Sequence, residues 1–214
     1  MLKYQRIVFE RLLKVNSGVM MKAPMVTSGE TLKEKILTGA VALFIEKGIE
    51  KATTRELTES LGISRSHIYH YFPDWHTLTL TALEHFMQRE LEEFTAELAG
   101  LEPEQQLHCM IEGHIPDTSD SVWRLYASFW QMAAHNADYA DLADKITAGW
   151  DALLCDIIRA GVAEGCFHTD DVARSARQLN AMLNGYADML SIKSSPEKIE
   201  QVMADINHFI QFMR

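Results

Sequence analysis

Apolar residues recur along this chain at intervals of three and four almost from end to end, the period of helices with one buried face, and no run alternates as a half-buried strand would. The first helix is predicted over 31–47. Thr31 and Glu34 stand in capping-box spacing, Ile36, Leu37, Ala40, Val41 and Phe44 share a face, and Gly48 stops it. Thr53 and Glu56 repeat the box and begin a short helix that ends at Leu61 and Gly62. Ser64 caps a third, which carries Ile68, Tyr69 and Phe72 as far as Pro73 and Asp74. From Trp75 the predicted helices lengthen, to 75–98, 103–114, 119–135, 138–164, 170–191 and 196–213, with Pro103 and Pro196 at helix starts and Gly165 closing the longest. The expectation is an all-α fold of nine helices: a three-helix unit over 31–75 and a larger helical domain over 76–214. No Gly/Ser linker parts the two, so the helix beginning at Trp75 is expected to pack against both.

Composition narrows the class. The chain has 214 residues, 47% of them hydrophobic, and a formal charge of −10, the profile of a globular protein and neither a disordered nor a collagen-like one. The longest charge-free stretch, Leu125–Ala137, falls short of the roughly 20 residues a membrane span needs. Near the start, Glu10 and Arg11 interrupt the apolar residues, which leaves no signal-peptide core, and a cytoplasmic location is expected. Cys109, Cys155 and Cys166 are too few and too irregular for a disulfide framework or a zinc ribbon. The charge is unevenly divided: residues 1–30 carry +3, 31–75 are neutral and 76–214 carry −13. An acidic bulk repels nucleic acid, whereas a small unit with its own basic side chains can still bind it.

Between Leu57 and Tyr71 the spacing is that of a helix-turn-helix. Gly62 supplies the positive φ of the turn, Thr58 sits where two helices approach, and Ile68 with Leu57 and Leu61 locks the second helix on the first. Arg65, Ser66, His67 and His70 are left facing outward near the start of that second helix, which suits a major groove. The wider series from Lys35, Ala40 and Phe44 through Lys47-Gly48, Ala52-Thr53-Thr54, Leu61-Gly62-Ile63-Ser64, Ile68-Tyr69 and Tyr71-Phe72 to Leu78 resembles the DNA-binding domain of the TetR family of bacterial repressors.

That resemblance implies a homodimer bound to a double-stranded operator and released by a small-molecule effector. It implies phosphate contacts from Thr54, Tyr69 and Tyr71, and base or groove contacts from Arg65, Ser66, His67 and His70. Two positions depart from the family pattern. Trp75 stands where a lysine usually meets a phosphate, and Thr58 replaces a usual alanine, a change tolerated if its hydroxyl bonds back to a carbonyl one turn earlier. Residues 1–30 lie outside the resemblance and read either as a basic arm that follows the minor groove or as a mis-assigned leader.

In the predicted helix 119–135, Trp123, Tyr126, Phe129 and Trp130 form an aromatic stripe, which reads as core or as one wall of a ligand site. The stretch from Trp123 to Phe167 is faintly similar to the choline-responsive repressors of betaine synthesis within the same family. This favours a cationic or aromatic effector held by Trp123, Tyr126, Trp130, Trp150 and Tyr186. Small residues on the eighth helix, Ala176, Ala181 and Gly185 among them, and the broad stripe of Ile206, Phe209 and Ile210 on the ninth need covering, either by packing within the chain or, as the preferred expectation, at a dimer interface. His108, Cys109 and His114 lack metal-ligand spacing on one helical face, and neither a phosphate loop nor a nucleophile elbow is present, so no metal, cofactor or catalysis is expected. The alternative function is a helical protein-binding adaptor that has lost DNA binding, suggested by Trp75.

Overall fold

The computed structural model describes residues 31–116 and 121–213. Among the described residues the chain forms nine α-helices and no strand: α1 (Leu32–Lys47), α2 (Thr54–Leu61), α3 (Arg65–Tyr71), α4 (Trp75–Glu97), α5 (Pro103–Gly113), α6 (Ser121–Ala133), α7 (Ala137–Glu164), α8 (Val172–Ile192) and α9 (Pro196–Gln211), with a 3-10 turn at Ile49–Lys51. The basic arm expected over 1–30 lies outside the described residues. No helix among them is long and apolar enough to cross a membrane.

The chain divides into two compact units. One holds the described residues through Arg89 together with Arg124–Leu142, and the other holds Glu90–Trp123 and Ala143 onward. The first four turns of α4 stay with the first unit because Leu78, Ala82, Leu83 and Met87, on one face of that helix, are all fully buried.

In the first unit, the predicted face of α1 is buried from Ile36 to Phe44. Both capping boxes form: the Glu34 N–H donates to Thr31 Oγ1 at 3.2 Å and the Glu56 N–H to Thr53 Oγ1 at 3.3 Å, each glutamate returning the bond to the cap backbone. Lys47 Nζ stands 2.7 Å from Glu56 Oε1, tying the end of α1 to the start of α2. At the turn, Gly62 has φ 65°, a left-handed conformation that an L side chain rarely adopts, and the Ile63 N–H closes onto the Thr58 carbonyl at 3.1 Å. Thr58 is buried and its hydroxyl donates to the Arg55 carbonyl at 2.8 Å, so the alanine-to-threonine departure leaves no unsatisfied polar atom.

In the second unit, α8 buries Ala176, Leu179, Leu183, Ala187 and Leu190, and α9 buries Val202, Ile206 and Ile210. Asn180 is buried too, and its amide donates to Asp151 of α7 at 2.6 Å. Three of the residues expected at the dimer interface lie among these burials. Ala176, Ile206 and Ile210 are covered within the protomer itself, because α8 and α9 pack on their own unit with the faces that periodicity picks out most strongly. What remains outward on α8 is a second stripe, Ala181, Gly185, Met189 and Ile192, the last two 61% and 86% exposed; Phe209 is half-buried and Phe212 is 75% exposed.

Candidate nucleic-acid interface and ligand site

Helix α3 is seven residues long, and Ile68 is its one fully buried side chain. Arg65, Ser66, His67, Tyr69, His70 and Tyr71 are all exposed, as sequence predicts for a helix held from one side and presented from the other; Thr54, at the first position of α2, is half-buried. Arg65 forms no ion pair among the described residues. An arginine at the first turn of a helix gains nothing from the macrodipole, which favours acids there, so its placement is not explained by stability.

Two of the expected base contacts are already engaged. The Ser64 backbone N–H donates to His67 Nδ1 at 3.3 Å, the Ser64 hydroxyl lies 2.8 Å from the same nitrogen, and Ser66 Oγ is 2.6 Å from Ser64 Oγ. His67 therefore fills the place a glutamate takes in the other two capping boxes. Since Nδ1 accepts, the proton of the neutral ring is on Nε2, which makes His67 a donor toward anything approaching the helix. His70 and Tyr71 stack edge to face at 4.9 Å, and Lys33 Nζ lies 5.9 Å from the ring of Phe72, beside the end of α3. Lys33 is a basic group the sequence did not single out, because nothing in α1 alone shows that its first turn meets the end of α3.

Trp75 packs edge-on against Phe44, centroids 6.1 Å apart, and is half-buried. Its ring extends the core, and the indole N–H has no hydrogen-bond partner among the described residues. Asp74 caps α4 by accepting from the Thr77 N–H at 2.7 Å, and that bond holds its carboxyl below the usual range.

The five residues expected to wall one ligand site occupy three settings. Tyr126 and Trp130 lie in the first unit, their rings 6.4 Å apart and Trp130 against the buried Phe129 at 5.0 Å. Tyr186 donates its hydroxyl to Asp205 at 2.8 Å, joining α8 to α9. Trp123 and Trp150 lie in the second unit, and both meet His114, with ring centroids at 6.0 and 5.8 Å; Phe94 adds a contact to Trp150 at 5.6 Å. A stripe on one helix shows which residues share a face but not which neighbour each one meets, and the chain passes between units just after Trp123.

Burial pushes the His114 imidazole below the usual histidine range, against a smaller opposing effect of its bond to the Met110 carbonyl. The folded ring is therefore neutral while the unfolded one gains its proton near pH 6.5. Its contribution to stability is complete above about pH 6.5 and is lost as the pH falls from there through the lower folded value. Unfolding titrations across pH 5–7 are expected to show stability declining toward acid, less steeply in His114→Phe. Burial likewise pushes the Cys109 and Cys155 thiols up, which opposes thiolate formation and redox sensing.

Comparison with known proteins agrees with this arrangement. The family model for bacterial regulatory proteins of the tetR family matches residues 36–75, and that for the C-terminal part of BetI-type transcriptional repressors matches 103–211. A relative, the HTH-type transcriptional regulator BetI of Stenotrophomonas maltophilia (strain R551-3), is 27% identical over 51% of this chain, which spans 58% of that relative's length. Among solved structures, a TetR transcription regulator from Haloarcula marismortui superposes with a TM-score of 0.74 at 16% identity, over 85% of this chain and 97% of that one. A transcriptional regulator from Saccharomonospora viridis, solved in complex with choline, superposes at 0.72 and 21% identity over 84% and 95%. The adaptor alternative finds no support in these matches, all of them to transcriptional regulators. With its two matched regions reaching from the helix-turn-helix into α9, the chain belongs to the TetR family of bacterial regulatory proteins.

Proposed function

We propose that the chain is a ligand-responsive transcriptional repressor. Two copies grip a palindromic operator, each placing α3 in a major groove, and an effector bound in the second unit releases them. The observation that carries this reading is α3 itself: one buried anchor, Ile68, under six exposed side chains, with Arg65 at its leading end in no ion pair among the described residues. Arg65, His67 and His70 read base edges, while Thr54, Tyr69 and Tyr71 hold phosphates and set the register. The indole N–H of Trp75 takes the place of the usual lysine as a neutral donor, so that contact releases no counterion and adds nothing to the salt dependence of binding.

The dimer forms through the outward stripe of α8, Ala181, Gly185, Met189 and Ile192, with Phe209 of α9 and Phe212 just after it. Exposed apolar side chains are grouped there, and Ala181 and Gly185 let two helices approach closely. Two-fold symmetry then sets the half-sites about 34–36 Å apart or a multiple of that.

The effector is a small organic cation. Supporting this are the two indoles that both pack against His114, the charge of −13 over residues 76–214, and the choline bound to the Saccharomonospora viridis regulator. An effector acts only through its different affinity for the DNA-binding and released states, typically a 5–150-fold coupling. Fluorescence anisotropy of a bound operator duplex titrated with choline tests this: operator affinity is expected to fall by roughly tenfold or more. An affinity that ignores choline and other quaternary ammonium ions would remove this effector class.

A further inference from the structure

The rings around His114 show more than a cation site. The imidazole Nδ1–H donates to the Met110 carbonyl at 2.8 Å, which fixes the neutral ring with its lone pair on Nε2. That nitrogen has no hydrogen-bond partner among the described residues, and desolvation keeps the ring from acquiring a proton there. The ring keeps some accessible surface, so that acceptor is open to a donor from a ligand. His114 is deep enough for desolvation to dominate its titration, yet His114, Trp123 and Trp150 all keep intermediate exposure.

Resting on the cationic effector proposed above, we infer that His114 is the hydrogen-bond acceptor of the ligand site. It receives the hydroxyl or N–H of an organic cation whose charged end lies against the indoles of Trp123 and Trp150. The two halves are compatible only because the ring is neutral: a protonated imidazole would repel the cation and would have no lone pair to offer. A ligand with the same charged group but only acceptors at its other end finds no donor on Nε2 and leaves the acceptor unpaired. The site thus selects a donor-bearing cation, such as an amino alcohol, over its ether.

Two probes separate the charge from the donor: choline, and its methyl ether, which keeps the trimethylammonium and loses the O–H. Calorimetric titration of the full chain is expected to give choline about a tenfold advantage, one good hydrogen bond. In His114→Phe, which retains a ring beside the indoles, the ratio of choline to ether affinity is expected to fall to about one. A purely structural role for His114 would weaken both ligands alike and keep their ratio. Equal binding of the two by the unaltered protein overturns the inference and leaves the cation reading standing; binding of neither overturns both. Should the phenylalanine variant fail to fold, the nitrogen NMR resonance of His114 Nε2 decides. It is expected to move with choline and not with the ether, and an unmoved resonance at saturating choline refutes the assignment.

Discussion

Replacing Gly161 with alanine is expected to destabilise the protein by about 3 kcal/mol, although helix propensity alone predicts the opposite. Gly161 is in α7, three residues before its end, and exchanging glycine for alanine inside a helix ordinarily gains about 1 kcal/mol. Here an added Cβ would run into the ring of Phe167, which is only 1% exposed. The chain turns back at Gly165, φ 80°, and the N–H groups of Cys166 and Phe167 both donate to the Gly161 carbonyl, at 2.9 and 3.1 Å. Those bonds hold Phe167 directly over Gly161, so the ring cannot step aside without breaking the cap. Displacing a buried phenylalanine costs about 3–5 kcal/mol and overpacking about 1–3, either of which exceeds the propensity gain. At this chain length about 3 kcal/mol lowers the melting temperature by roughly 6–12 °C. Adding Phe167→Leu to the alanine variant should recover part of the loss, because the two changes share one contact. A melting temperature at or above that of the unaltered protein would show that Phe167 does not lie over Gly161.

Arg65→Ala should weaken binding to the preferred operator by about 1–3 kcal/mol and flatten the preference at one base pair per half-site, while affinity for unrelated DNA changes little. The variant should fold as well as the parent, since Arg65 forms no ion pair among the described residues and its charge is the wrong sign for the start of α3. A phosphate contact behaves differently: every sequence then weakens alike, and the slope of log affinity against log salt falls by about one. Competition binding against single-base operator variants at two salt concentrations distinguishes the two roles. Unchanged affinity and preference would remove Arg65 from the reading face.

What sequence made legible follows from how local each signal is. Capping boxes at Thr31 and Thr53, the left-handed Gly62 and the stop at Gly48 are set by residues within four positions of one another, and each forms as the spacing predicts. The exposed side of α3 follows just as directly, because one apolar residue, Ile68, orients a helix so short. His67 was legible as outward-facing but not as a cap, since histidine seldom fills the glutamate position and only the fold brings Nδ1 onto the Ser64 N–H.

Longer-range features were not readable in this way. Apolar period on α9 marks Ile206 and Ile210 as buried but cannot tell burial within the protomer from burial by a partner, and the two proved to be core. The aromatic stripe of α6 divides between two units. His114, which the sequence offers only as an unpromising metal ligand, meets Trp123 and Trp150 through the folding of three separate helical segments.

The central claim is that α3 reads DNA as one half of a symmetric pair. Selection of duplexes from a random pool by the purified full chain, at moderate salt and without added ligand, tests it most directly. Enrichment of a palindrome whose half-sites are separated by whole helical turns is the predicted result. A folded dimer that enriches no sequence would contradict it.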